Sequence, residues 1–176
     1  MADLTPPLSA EDHVEGPERA EFELVMYGDF QCPYCAAAYL IIKRLRERMA
    51  GRLLFSYRHY PIRETHPDAE RAAQASEAAA AQGAFWQMHD RMYESGGALA
   101  REDLLRYASE LGLDSGRMSE ELDSEVHAPR VQRDLDSGIA SGVTGTPGFF
   151  VGGRLYGGSF DAQSLTAALE TSGKVS

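Results

Sequence analysis

Residues 1–20 show no sustained period of 2 or 3.6 between apolar and polar positions. Proline, acidic and small residues predict a loose N-terminal segment there. Phe22-Glu23-Leu24-Val25-Met26-Tyr27 alternates at first and then becomes wholly apolar, the pattern of a strand covered on both faces in the middle of a sheet. Gly28-Asp29-Phe30-Gln31 ends it. From Pro33 to Met49, Ala38, Ile41, Ile42, Leu45 and Met49 recur at three- and four-residue steps with basic and acidic residues between them. This predicts an amphipathic helix that opens on a proline, where a missing N–H costs nothing. Leu53 to Tyr60 reads as a second strand closed by Pro61. Strand, helix and strand in this order form a parallel pair with a right-handed crossover.

The pattern then changes. From His66 to about Glu125 the chain is rich in Ala, Glu, Gln, Arg, Met and Leu and poor in β-branched residues, which favours helix. One helix is predicted from Pro67–Glu70 through Ala81, stopping at Gly83. A second shows Phe85, Met88, His89 and Met92 on one face. A third shows Leu104, Leu105, Ala108 and Leu111 and ends at Gly112. A short helical piece spans Met118 to Leu122, and another helix runs towards Ile139 from near Pro129. Sheet character returns in Gly148-Phe149-Phe150-Val151 and, across the turn signal Gly152-Gly153, in Arg154-Leu155-Tyr156. A last helix starts between Ser159 and Ala162. The expected organisation is a loose segment 1–20, a first sheet part 21–65, a helical insertion 66–125 and a second sheet part 126–176.

Charge narrows the classes of partner. Twenty-seven acidic against seventeen basic residues give a formal charge of −10, the wrong sign for a protein that gains affinity by neutralising phosphates, so nucleic acid is not an expected partner. The apolar block Tyr39 to Ile42 and the small residues before it are closed by Lys43 and Arg44, far short of the ~20 residues of a membrane span; no membrane association is expected. The first twenty residues lack the basic start and apolar stretch of a secretory signal, so a cytoplasmic location is expected. With two cysteines in the chain, no disulfide framework holds the fold.

Those two are Cys32 and Cys35, in Cys32-Pro33-Tyr34-Cys35, between a buried strand and a helix. A thiolate at a helix N-terminus meets N–H groups that have no helical partner and the positive end of the helix dipole, which lowers a thiol pKa from ~8.5 into roughly 3.5–7.5. Cys32 is the expected nucleophile. Cys35, one turn inward, is the expected resolving thiol that attacks a mixed disulfide on Cys32. A structural zinc needs a second ligand pair, and His59 and His66 match no usual spacing; no metal and no cofactor are expected. Inert burial of both cysteines is the plain alternative. Lys43, Arg44, Arg46, Arg48 and Arg52 read as a solvated helix face that could also attract glutathione or an acidic partner. His59 reads first as a hydrogen-bonded strand-end residue.

The sequence resembles the DsbA-like branch of the thioredoxin-fold thiol-disulfide oxidoreductases. Four segments in order carry the resemblance: Val25 to Cys35, Arg58-His59-Tyr60-Pro61, Gly83 to Asp90, and Gly142 to Val151. It implies an α/β thioredoxin-like fold, a central mixed sheet flanked by helices, with an all-helical insertion. It also implies a cis bond at Thr146-Pro147 facing the cysteine pair, and a substrate groove made by Pro33, Tyr34, Thr146 and Pro147. The activity it implies is disulfide exchange with protein or peptide thiols, with glutathione or a redox protein as partner. The alternatives are a glutathione-linked disulfide reductase and a non-catalytic, chaperone-like peptide-binding module. Three positions depart from the family pattern. Met26 stands where well-studied oxidants bury an acidic residue, which leaves Asp29 or water to exchange a proton with Cys35. Tyr34 replaces the histidine that strong oxidants carry between the cysteines, and Gly148 replaces a common threonine.

Overall fold

The computed structural model describes residues 2–173; Met1 and residues 174–176, at the ends of the expected segments, lie outside the described residues. The chain runs β1 (His13–Glu15), β2 (Phe22–Gly28), α1 (Pro33–Arg48), β3 (Leu53–His59), α2 (Ala69–Ala80) and α3 (Phe85–Tyr93). It continues α4 (Arg101–Glu110), α5 (Ser115–Ser124), α6 (Ala128–Ala140), β4 (Gly148–Val151), β5 (Arg154–Tyr156) and α7 (Ala162–Ser172). It divides into two compact units. Among the described residues, a sheet unit comprises 2–28, 37–58 and 136–173, and a helical unit comprises Asp29–Ala36 and His59–Leu135.

In the sheet unit the strand order is β1-β3-β2-β4-β5, and β1–β3, β2–β4 and β4–β5 pair antiparallel. The run Leu24 to Tyr27 is fully buried, as its unbroken apolar character requires of the central strand. Met26 sits opposite Phe149, and Tyr27 opposite Gly148. Helix α7 packs against β2 and β4 and buries Leu165 and Leu169. Its N-cap is Asp161, whose carboxylate accepts the Ser164 N–H at 2.8 Å. That bond and those to the Ser159 and Ser164 hydroxyls hold the Asp161 carboxyl down at about 2.

The N-terminal segment is not loose. His13–Glu15 adds an edge strand to β3, Leu4 is buried, and the Leu4 N–H donates to the Gly153 carbonyl at 2.8 Å. What fastens it is a buried ion pair. Arg58 Nε and Nη2 donate to Asp12 Oδ1 and Oδ2 at 2.8 and 3.1 Å, Nη1 donates to the Tyr27 hydroxyl at 3.0 Å, and Nη2 also reaches the Pro7 carbonyl. Burial acts to lower the Arg58 pKa, but the hydrogen bonds that Arg58 donates to Asp12 and Tyr27 outweigh it and hold the guanidinium above its ordinary value. The basic residues of and after α1 are partly engaged: Arg46 pairs with Glu15 and lies over Phe55, and Arg52 pairs with Glu21 and lies over Phe22.

In the helical unit α2 packs against α3, α4 and α5, and α4 against α3 and α5. Alanines at 69, 72, 73, 75, 78 and 79 are buried, and their small side chains let neighbouring helices approach α2 from several sides. The unit is larger than the expected 66–125. It takes in His59 because its N–H donates to Asp134 Oδ2 at 3.0 Å and its Nε2 lies 2.8 Å from Glu77 Oε2. It takes in the first part of α6 through Arg130 and Asp134, and residues 29–36 through hydrogen bonds of Asp29 described below. Helix α5 is longer than the predicted Met118–Leu122 because Asp114 caps it, accepting the Arg117 N–H at 3.0 Å.

Candidate active site

The loop between β2 and α1 delivers the cysteines. Asp29 turns the chain: its carbonyl accepts the Cys32 N–H at 3.1 Å, and its Oδ1 accepts the N–H groups of Gln31 and Cys32 at 2.7 and 3.2 Å. A short acidic side chain that bonds its own backbone two and three residues on is a turn-forming device. Cys32 therefore occupies the residue just before the first helical one, and its carbonyl accepts the Ala36 N–H at 3.1 Å as α1 begins. A side chain at that position faces the N–H groups of the first turn. Pro33 follows at the first helical position, where its missing N–H is harmless.

Cys32 and Cys35 are thiols in this structure and both are buried, Cys32 at 4% exposure and Cys35 at 0%. Between them Pro33 and Tyr34 project into solvent, Tyr34 with 67% of its surface exposed. Cys32 keeps a small exposed surface and Cys35 none. Thr146 and Pro147, the other expected substrate-binding residues, lie in the sheet unit just ahead of β4 and are half-buried, and the Thr146–Pro147 peptide bond is cis. Gly148 has a packing reason: a Cβ there would stand 3.0 Å from Val143 Cγ1 and 3.4 Å from the Gly145 carbonyl oxygen. Met26 is buried in the sheet, so no carboxylate stands at that position.

The polar chemistry beside the cysteines comes instead from Asp29. Its second oxygen, Oδ2, accepts the Ile62 N–H at 2.8 Å and lies 2.7 Å from His66 Nδ1, so four hydrogen bonds converge on one carboxylate with 0% side-chain exposure. Gln31 adds a further tie, its Oε1 accepting the Asp68 N–H at 2.8 Å. Phe30 anchors the loop on its other side, its ring 4.9 Å from Tyr93 and 5.8 Å from His89, centroid to centroid. Sequence reasoning noticed Asp29 but missed His66 and Phe30 as its partners in shaping the loop; the first is separated from Asp29 by 37 positions. His59 is a buried hydrogen-bonded residue, its ring held by Glu77. Among the described residues no group of three or more His, Cys, Asp or Glu side chains is placed to hold a metal ion.

Comparison with known proteins fixes the family. A family model described as Thioredoxin matches residues 8–171. The chain belongs to the thioredoxin family. Within it, the fold is that of DsbA-like structures. Oxidised BdbD from Bacillus subtilis superposes with a TM-score of 0.88 at 22% identity, covering 98% of both chains. A thioredoxin-like oxidoreductase from Silicibacter pomeroyi DSS-3 gives 0.81 at 26% identity over 96% of this chain and 95% of that one. Curated relatives at higher identity include the Na(+)/H(+) antiporter NhaA of Herminiimonas arsenicoxydans, 48% identical over 170 residues, which are 96% of this chain and 27% of that protein. This family member thus spans about a quarter of the length of the curated relatives it matches.

Proposed function

We propose that this thioredoxin-family chain exchanges disulfides with protein or peptide substrates through Cys32 and Cys35. The observation that carries the reading is the placement of two thiols one helical turn apart at the N-terminal end of α1, graded in burial, beneath the exposed Pro33-Tyr34 edge. In the reductive direction the Cys32 thiolate attacks one sulfur of a substrate disulfide, forms a mixed disulfide and releases the first substrate thiolate. Cys35, after losing its proton to solvent, attacks Cys32 Sγ and releases the second. The substrate gains two electrons, the chain becomes the Cys32–Cys35 disulfide, and the two thiol protons end on the released thiolates by way of water. The oxidative direction is the same sequence reversed, and the ambient redox partner decides which one runs.

Thr146 and Pro147 with Pro33 and Tyr34 are the residues assigned to substrate backbone recognition, a mode that reads extended chain rather than particular side chains. Glutathione or a redox protein serves as the second partner. The transport name of the antiporter relatives is not carried over, because this chain matches only about a quarter of their length. The test is a disulfide-exchange assay on an oxidised peptide with Cys32→Ser and Cys35→Ser variants. Cys32→Ser abolishes turnover, and Cys35→Ser stalls as a Cys32 mixed disulfide visible by intact mass. A Cys32→Ser, Cys35→Ser double variant that keeps full client-binding activity favours the non-catalytic peptide-binding reading over the enzyme.

A further inference from the structure

We propose that a cleft between α2, α4 and α5 binds a short zwitterionic peptide, with the peptide's amide N–H on Gln74, its carboxylate on Arg71 and its ammonium group on Glu125. The cleft lies wholly within the helical unit, and the inference is independent of the disulfide exchange assigned to Cys32 and Cys35.

The cleft has a volume of about 350 Å³, within the range of small-ligand sites and room for about twelve atoms of water's size. Its inner wall is made by Gln74 and Leu122, exposed by 3% and 7%. The Gln74 amide is oriented by its neighbour: Nε2 donates to Glu70 Oε1 at 3.2 Å, and since a carboxylate only accepts, the nitrogen must face Glu70 and the oxygen must face away. That oxygen is buried and has no hydrogen-bond partner among the described residues. Buried acceptors are almost always paired, so an orphan on the wall of a cleft calls for a donor from outside. The cleft's own residues do not supply it. Leu122 has no side-chain donor, and Arg101 directs Nη2 to Ser119 Oγ and to Asp123 Oδ1.

The charges of the lining select the ligand. Glu70 is engaged by Arg63 at 2.9 Å as well as by Gln74, and Asp123 by Arg101 at 2.9 Å. Arg71 and Glu125 remain: both are exposed, and neither side chain makes a hydrogen bond or ion pair among the described residues. Glu125 also ends α5 with φ 54°, a left-handed conformation that helix ends usually give to glycine, so a carboxylate stands where the backbone favours no side chain. A free cation and a free anion over one buried acceptor match a molecule with a carboxylate at one end, an ammonium at the other and an N–H between. A dipeptide carries its groups in that order. A simple anion or cation leaves one charge of the cleft unmet, and a free amino acid lacks the amide N–H. The guanidinium fork of Arg71 suits a carboxylate. Since Arg71 and Glu125 are open to solvent, their ion pairs contribute modestly, and the buried bond to Gln74 contributes most.

The experiment titrates the isotope-labelled full chain with L-alanyl-L-alanine, its N-acetyl form, its C-terminal amide and free alanine, following backbone amide shifts by NMR. The dipeptide should give saturable shifts at Arg71, Gln74, Leu122 and Glu125. Acetylation and amidation should each weaken it about twofold to fivefold, and free alanine should bind about tenfold more weakly. Gln74→Met, which keeps the shape and removes the acceptor, should weaken the dipeptide about tenfold. Arg71→Gln should bring the dipeptide down to the affinity of the amide and leave the amide's own unchanged; Glu125→Gln should do the same for the N-acetyl form. A loss of local structure would weaken all probes alike, and the two exposed positions keep the test open if Gln74→Met fails to fold. No saturable shift at millimolar dipeptide would mean that solvent alone pairs Gln74, and overturns the inference. Shifts confined to residues around Cys32 and Pro147, or discrimination between the probes that survives Arg71→Gln and Glu125→Gln, overturn it as well. None of these results bears on the disulfide exchange, and a Cys32→Ser, Cys35→Ser variant should bind the dipeptide as wild type does.

Discussion

Asp12→Ala should be among the most destabilising substitutions in the sheet unit, although Asp12 lies in a stretch whose sequence looks like a solvated tail. Arg58 and Asp12 have side-chain exposures of 3% and 2% and share two hydrogen bonds of 2.8 and 3.1 Å. Truncation at Asp12 leaves the guanidinium bound to the Tyr27 hydroxyl and the Pro7 carbonyl and removes the charge that offsets its own. Each charge-assisted hydrogen bond contributes roughly 1.5–3 kcal/mol, and breaking one side of a buried ion pair costs about 3–5 kcal/mol. Water entering beside β1 recovers part of this, so a loss of about 3 kcal/mol is expected. Urea denaturation of the full chain, followed by far-ultraviolet circular dichroism, measures it. The double variant Asp12→Leu, Arg58→Met should recover most of the loss, since no charge is then left buried. A loss under about 1 kcal/mol for Asp12→Ala would refute the reasoning and return residues 1–20 to the status of a tail.

Further substitutions test other parts of the fold. Gly148→Thr should cost about 1–3 kcal/mol by overpacking against Val143, and adding Val143→Ala should relieve at least half of it; a neutral Gly148→Thr in the same denaturation assay would show that the loop yields freely. Phe30→Ala removes a buried ring from the cluster with His89 and Tyr93 and should cost about 3–5 kcal/mol, read out by the fluorescence of Trp86, whose ring meets His89 edge to face at 5.0 Å; a cost below ~1 kcal/mol would mean that the cluster does not hold the loop. Burial raises the pKa of Glu23, with Arg58 acting against it and Asp12 with it. A carboxyl with a raised folded pKa contributes stability that is full below its unfolded range and is lost as pH rises through the folded value. Glu23→Gln should therefore be more stable than wild type near pH 7 and equal to it below about pH 4, and a difference independent of pH would contradict this assignment.

The sequence was most legible where a local period and a buried face coincide. Ala38, Ile42 and Leu45 of α1 and Met49 just beyond it are buried as their spacing predicted, and the apolar run Leu24 to Tyr27 is the interior of the central strand. The cysteine motif was readable because its chemistry is local: strand, turn, thiol at the helix start. The N-terminal edge strand was not, because three residues are too few to show a period and what fixes them is Arg58, more than forty positions away. The same holds for His66 on Asp29. Turn residues announce a turn, but nothing in Asp29 alone says that its second oxygen will collect an N–H from Ile62 and an imidazole from the loop before α2. The early start of α5 was visible in principle, since Asp114 before Ser115 is an N-cap signal.

The central claim is tested most directly by the equilibrium between Cys32/Cys35 and defined glutathione buffers, with the thiols trapped by alkylation and counted by intact mass. The account predicts one reversible two-electron transition, lost in either single cysteine variant, at a potential within the roughly −270 to −120 mV spanned by thioredoxin-fold oxidoreductases. Two cysteines that stay reduced across every buffer, or that are alkylated only after the protein unfolds, would contradict it.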